Sequence, residues 1–149
     1  MTIETPFGPV QAVVDASGSL TELKFAASNG TANGAGNSDV ARQLSEYFAG
    51  KRKTFDLPVA PRGTEFQKRI WAELVRIPYG ETVSYAELAK RVGNQGAARA
   101  VGRANATNPI AIVVPCHRVI GADGSLTGYA YGVEMKRSLL DFERGQTRL

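Results

Sequence analysis

Residues 84–105 read Ser84-Tyr85-Ala86-Glu87-Leu88-Ala89-Lys90-Arg91-Val92-Gly93-Asn94-Gln95-Gly96-Ala97-Ala98-Arg99-Ala100-Val101-Gly102-Arg103-Ala104-Asn105. The first four have the form of a capping box, with Ser at the N-cap and Glu three residues on, so a short helix starts there and should end at Gly93-Asn94. A second segment, Ala97 to Asn105, follows after a turn of about three or four residues, which is the layout of a helix-turn-helix. Ala97, Ala98, Ala100, Gly102, Ala104 and Ala106 leave that second helix little bulk, while Arg99 and Arg103 carry charge. Small residues serve close approach to an outside surface and tight packing against a neighbour equally well. The pattern alone leaves both open.

Upstream, Thr64-Glu65-Phe66-Gln67 is another capping box, and Phe66, Ile70 and Leu74 line one face of a helix that Pro78 stops. Pro58 to Gly63 reads as a linker. Before it, Val10 to Val14 and Leu20 to Phe25 are apolar-rich, partly alternating runs separated by Asp15-Ala16-Ser17-Gly18-Ser19, which predicts a hairpin. Ala26 to Ser38, rich in Gly, Asn, Ala and Ser, reads as a surface loop with no legible role. Ser38 can cap a helix with Val40, Leu44, Tyr47 and Phe48 at helical spacing, ended by Gly50, and Thr54 to Val59 could add a strand. The expectation is an α+β protein. Residues 1–60 form a small antiparallel sheet with one helix, and residues 61–149 a mainly helical domain containing the helix-turn-helix.

Downstream, Asn108-Pro109 closes the second helix, and Ile110-Ala111-Ile112-Val113-Val114 reads as a buried extended segment ending at Pro115. It delivers Cys116 and His117, the only cysteine and the only histidine of the chain. These are the side chains best suited to nucleophile and base near neutral pH. Neighbours on a regular strand point to opposite faces, so the two can cooperate only if the chain turns there or a water bridges them. In the last helix, from about Gly132 to Arg144, Glu143 shares the side of Leu139 and Leu140. A carboxylate facing the core near a helix C-terminus is badly placed on two counts, so it either serves a function or escapes to solvent or to an arginine such as Arg144.

Composition narrows the classes. With 43% hydrophobic and 21% charged residues the chain is globular. One cysteine cannot make an internal disulfide, and one cysteine with one histidine cannot build the usual four-ligand zinc site, so neither a disulfide nor a metal is expected. Met1-Thr2-Ile3-Glu4-Thr5-Pro6 lacks the features of a signal peptide, and no apolar run approaches the ~20 residues of a membrane helix. The expectation is a soluble cytoplasmic protein with no membrane partner. The net charge of +4 lies in the C-terminal part: Met1 to Ala60 holds five basic and six acidic residues, Pro61 to Leu149 thirteen and eight. Leu88 to Ala122 has Lys90, Arg91, Arg99, Arg103 and Arg118 and no acid, which suits either a solvated basic surface or phosphate contact.

The runs Gly63-Thr64-Glu65-Phe66-Gln67, Ile77-Pro78-Tyr79-Gly80-Glu81-Thr82-Val83-Ser84-Tyr85, Ala98-Arg99-Ala100-Val101-Gly102, Asn108-Pro109, Pro115-Cys116-His117-Arg118-Val119 and Gly128-Tyr129, in this order, resemble the O6-alkylguanine-DNA alkyltransferases. The likeness is continuous from Gly63 to Glu143 and reaches the N-terminal part only in layout. The resemblance implies that Cys116 takes an alkyl group from O6 of a flipped guanine and keeps it, each molecule acting once and without a cofactor. It implies that His117 activates Cys116 through a water, that Glu143 orients the imidazole, and that Asn108 ties the network to the helix-turn-helix backbone. Tyr85 would serve guanine N3 and turn the neighbouring phosphate. Arg99 would replace the extruded nucleotide in the stack. Ala98, Gly102 and Arg103 would lie on the minor groove of double-stranded DNA, and Val119, Tyr129, Ala130 and Tyr131 would line the guanine pocket. A monomer, associated with the nucleoid, is expected.

Relatives often carry glycine where this chain has Tyr131, which should narrow the pocket in favour of methyl over benzyl groups. Some bind zinc in the N-terminal domain through Cys and His that are lacking here. Two other classes compete: a DNA-binding sensor of alkylated bases without turnover, against which Cys116 itself argues, and a redox switch, which would need no Tyr85, Arg99 and Glu143 constellation.

Overall fold

The computed structural model describes residues 2–26, 38–93 and 95–145. Their contacts cluster into two units, those within 2–62 with 109–113, and those within 63–108 with 114–145. The expected loop at Ala26 to Ser38 falls almost wholly outside the described residues.

In the first unit, β1 (Thr2–Ile3), β2 (Val10–Val14) and β3 (Leu20–Phe25) form an antiparallel sheet in that order. The hairpin is the one the alternation predicts: Ala12 pairs with Leu23 and Val10 with Phe25. Its turn is held by the Asp15 carboxylate, which accepts from the backbone N–H groups of Ser17 (2.9 Å) and Ser19 (3.0 Å). Val10, Ala12, Leu20 and Leu23 are buried, as are Val40, Leu44, Tyr47 and Phe48 of α1 (Ser38–Phe48). Each large apolar side chain so removed from water contributes roughly 1.5–3 kcal/mol.

No strand forms at Thr54 to Val59. Only Val59 bridges Leu20, because the Gln43 side chain captures both backbone groups of Asp56 (2.8 and 3.0 Å) and ties the segment to α1 instead. Residues 110–114 are buried as expected, but not extended. Ile110 alone bridges Leu23, and the chain then turns tightly, with Val113 N–H donating to Ala111 O at 2.7 Å. Ile112, at the centre of that turn, has φ +70°, a left-handed conformation that costs a β-branched residue roughly 1–3 kcal/mol.

The second unit opens with α2 (Glu65–Val75), whose Thr64–Gln67 capping box is complete. Its buried face of Ile70, Trp71 and Leu74 packs on α4 (Ala98–Ala106), where the indole N–H donates to Ala104 O at 2.8 Å. Gly63 is required by the same ring, since a Cβ there would lie 2.6 Å from it. The helix α3 (Tyr85–Arg91) is capped by Ser84, but the expected box is only half made: Ser84 Oγ accepts from Glu87 N–H, while the Glu87 carboxylate reaches Arg91. A segment containing one 3-10 turn (Gln95–Ala97) joins α3 to α4. Three strands have no counterpart in the sequence expectations: β1 of the first unit, and β4 (Val83–Ser84) and β5 (Val119–Ile120) here, which pair in parallel. The last helix, α5 (Val133–Glu143), is buried along Lys136, Leu139, Leu140 and Glu143.

Candidate active site

Pro115 sets the approach to the cysteine. Its ring restricts φ, here −82° with ψ 67°, and this three-residue turn brings Cys116 N–H to Val114 O at 2.8 Å. Cys116–Arg118 then form a single 3-10 turn rather than a strand, so Cys116 and His117 are freed from the opposite-face rule. The chain leaves the turn as β5 against β4, and β4 runs directly into Tyr85 at the start of α3.

Cys116 is buried, and desolvation pushes its thiol up to about 11, opposed by a hydrogen bond from the Asn108 side chain and by the charge of Lys136. Only on the order of one molecule in 10⁴ would then be thiolate at neutral pH, so a nucleophilic role requires a base. Asn108 is buried and its amide donates to Val114 O at 2.7 Å; Asn105, not anticipated from the sequence, donates to Cys116 O at 3.2 Å.

The candidate base is defined by its partners. His117 is fully buried, and its Nε2 lies 2.8 Å from Glu143 Oε2. A carboxylate can only accept, so Nε2 carries the proton and Nδ1 presents a lone pair. Nδ1 is buried and, among the described residues, makes no hydrogen bond. Burial holds the imidazole below its ordinary pKa against the pull of Glu143, with Arg118 and Lys136 pushing the same way as burial, so the ring is neutral at pH 7.

Glu143 does not escape to solvent, and its cation is Arg118 rather than Arg144. Arg118 Nε and one terminal nitrogen grip the two carboxylate oxygens at 2.8 and 2.9 Å, and the other terminal nitrogen donates to Ile77 O at 2.7 Å. Burial alone would raise the Glu143 carboxyl; His117 and Arg118 together hold it well below the usual carboxylate range. Arg118 is a residue the sequence reasoning missed. The signal was available: a core-facing carboxylate demands a cation, and Arg118 follows His117 directly.

Tyr85 belongs to a second cluster. Its hydroxyl donates to Thr127 O at 2.8 Å, and a Cβ on Gly128, which has φ +72°, would lie 2.9 Å from the Tyr85 hydroxyl oxygen. Lys136 donates to the same Thr127 O at 2.8 Å and lies 3.5 Å from the Tyr85 hydroxyl. Lys136, too, was missed, although it stands on the Leu139, Leu140 and Glu143 face of α5.

Not every expected residue joins these clusters. Ala98, Arg99 and Arg103 are exposed on α4, and Gly102 faces the Tyr85 ring, where a Cβ would stand 3.9 Å away. Val119 is buried. Tyr129 is buried with a hydroxyl that makes no hydrogen bond among the described residues, and its ring meets Tyr131 edge-on at 5.5 Å, while Ala130 is exposed. Among the described residues no group of three or more His, Cys, Asp or Glu side chains could hold a metal, and no helix is long and apolar enough to cross a membrane.

Two family models match the chain: "6-O-methylguanine DNA methyltransferase, ribonuclease-like domain" over residues 1–61 and "6-O-methylguanine DNA methyltransferase, DNA binding domain" over residues 65–145. A methylated-DNA–protein-cysteine methyltransferase of Methanosarcina acetivorans is 61% identical over 105 residues, 70% of this chain and 67% of the relative. One of Mycobacterium bovis is 47% identical over 152 residues, covering 97% and 92%. The crystal structure of Mycobacterium tuberculosis OGT in complex with DNA superposes with a TM-score of 0.87 at 47% identity, over 98% of this chain and 92% of that one.

Proposed function

The chain belongs to the 6-O-methylguanine DNA methyltransferase family, and from that premise we propose that it repairs DNA by moving an alkyl group from O6 of guanine to its own Cys116. It is a DNA-binding methylated-DNA–protein-cysteine methyltransferase. The residue-level reading rests above all on His117, whose Nε2 is committed to Glu143 while Nδ1 keeps its lone pair.

In this reading the Cys116 proton passes to His117 Nδ1 through a water. The imidazolium is stabilised by Glu143, which Arg118 holds in place, as the third member of a triad does. Sγ attacks the alkyl carbon, a C–S bond forms, and the C–O6 bond breaks with its electrons left on guanine. Tyr85 turns its hydroxyl proton from Thr127 O to N3 of the departing base, answering the charge as it develops. The thioether has no route back, so each molecule acts once.

Arg99 fills the gap left by the flipped nucleotide, which offsets the few kcal/mol that extrusion costs. The small-residue face of α4, with Ala98, Gly102 and Arg103, lies on the minor groove. Val119, Tyr129, Ala130 and Tyr131 border the extruded base, with Tyr131 restricting it to small alkyl groups. Residues 61–149 carry the chemistry and residues 1–60 are structural. The protein works as a cytoplasmic, nucleoid-associated monomer without zinc or another cofactor.

The test is to incubate the protein with a duplex containing O6-methylguanine and weigh it. The expected result is a gain of one methyl group on the Cys116 peptide, stoichiometric and absent in Cys116→Ser. Binding to the duplex with no change in mass would instead identify a sensor of alkylated bases.

A further inference from the structure

The turn Ile77-Pro78-Tyr79-Gly80 meets the Arg118–Glu143 pair at three points. Ile77 O accepts from Arg118 at 2.7 Å, and the Tyr79 ring lies over the guanidinium, its centre 5.7 Å from the guanidinium carbon. Gly80, at φ +81°, runs so near the end of α5 that a Cβ on it would stand 3.5 Å from Glu143 O. The paired side chains are almost out of reach of water, Arg118 6% exposed and Glu143 0%. Tyr79 is only half-buried. It therefore places an aromatic face between a guanidinium and the solvent. Alkyl transfer as read above makes no use of it.

We propose that Tyr79 is a positioning residue for the relay: its ring caps the Arg118 guanidinium, holds the two-pronged grip on Glu143 and keeps water from the pair, so that Nδ1 of His117 stays free for the Cys116 proton. This rests on the alkyl-transfer reading above.

The shape of a guanidinium explains why an aromatic ring suits the place. Its N–H donors lie in one plane, and its two faces carry none. In Arg118 that edge is spent on Glu143 and on Ile77 O, which leaves a face for the electron-rich side of the ring. Cap and hydrogen bonds do not compete. The hydroxyl is not needed for this, whereas the ring is: a leucine would cover the pair but offer the cation no negative face.

The consequence for His117 has a definite sign. The charges that reach the imidazole are those of Glu143 and Lys136, both on α5, and of its neighbour Arg118. The helix α2, which also packs on the Cys116–Arg118 turn, has Ile70, Trp71 and Leu74 as its buried residues. Burial is the main force holding the imidazole below its ordinary pKa, and Glu143 pulls the other way. Without the ring, water and counterions enter, the penalty on the imidazolium falls and the push from Arg118 is screened. Nδ1 then protonates at a higher pH and can no longer take a proton from the thiol.

The test joins two readouts in the full chain and in Tyr79→Phe and Tyr79→Leu: single-turnover methyl transfer from an O6-methylguanine duplex between pH 5 and 8, and the ¹⁵N titration of His117. In Tyr79→Leu the acid limb of the rate and the His117 midpoint should rise together by about 0.5–1 pH unit, a loss of about 3–10-fold in rate on that limb. Tyr79→Phe should keep both where the unaltered protein has them. A merely structural role would lower stability and the rate at every pH alike, and would leave the midpoint in place. If Tyr79→Leu fails to fold, Tyr79→Met gives the same comparison. A midpoint unmoved by the loss of the ring, or moved as far in Tyr79→Phe, would overturn the proposal. A midpoint that moves as expected while Cys116 gains no methyl group at any pH would uphold the cap and remove the alkyl-transfer reading instead.

Discussion

Glu143 and Lys136 are buried ionisable residues about two turns apart on one face of α5, and they are treated in opposite ways. Glu143 is compensated by the bidentate Arg118 and by His117. Among the described residues, the hydrogen bonds of Lys136 run to neutral oxygens, those of Thr127 and Tyr85. The first arrangement locks a carboxylate in its charged form and fixes one tautomer of the neighbouring imidazole. The second leaves an ammonium group only weakly committed to its proton. The side that holds His117 is built around charged partners, and the side that holds the Tyr85 hydroxyl around neutral ones.

The largest expected effect comes from breaking the charged side. Arg118→Met leaves the Glu143 charge buried beside a neutral histidine, and should destabilise the protein by about 3–5 kcal/mol in denaturant unfolding. His117→Ala should lower single-turnover alkyl transfer by about 10²–10⁴-fold with little loss of duplex binding, because it removes the base and not the DNA surface. On the neutral side, Tyr85→Phe should keep the fold and slow transfer by about 10–100-fold at neutral pH.

Acid separates the two sides again. The Glu143 carboxyl is held below its unfolded value, so its contribution to stability is fully present above about pH 4.5 and is lost as pH falls through the depressed folded value. His117, held neutral by burial, adds a loss of stability in acid, since only the unfolded chain binds its proton readily below about pH 6.5. Unfolding free energy measured from pH 7 to pH 3 should therefore fall, and the fall should be smaller in the double variant Glu143→Gln with His117→Gln. Tyr131→Gly carries the smallest expected effect, a few-fold rise in labelling by O6-benzylguanine relative to O6-methylguanine.

What the sequence made legible divides by the range of the interaction. The Thr64 capping box, the Ser84 cap, the hairpin and the helix expected over Ala97 to Asn105 are written in residues a few positions apart, and they are readable for that reason. The misplacement of Glu143 was readable as well, because a carboxylate beside Leu139 and Leu140 breaks a local rule. Its partner was not, since Arg118 lies 25 residues away and Arg144 competes for it on paper. Lys136 passed unnoticed because a lysine on a terminal helix looks solvated until Thr127 and Tyr85 are brought to it. The turn at Ile112 could not be read at all: an apolar run predicts burial, which is correct, and extension, which here gives way to a strained turn.

The central claim is that Glu143 fixes His117 in one tautomer and leaves Nδ1 to take the Cys116 proton. Because the chain has a single histidine, its ¹⁵N spectrum is unambiguous. The expected result, recorded from pH 8 downward, is a protonated Nε2 and a bare Nδ1 that persist below pH 6.5, with the rate of alkyl transfer falling only where Nδ1 finally protonates. A protonated Nδ1 with a bare Nε2, or an imidazolium already formed at pH 7, would contradict it.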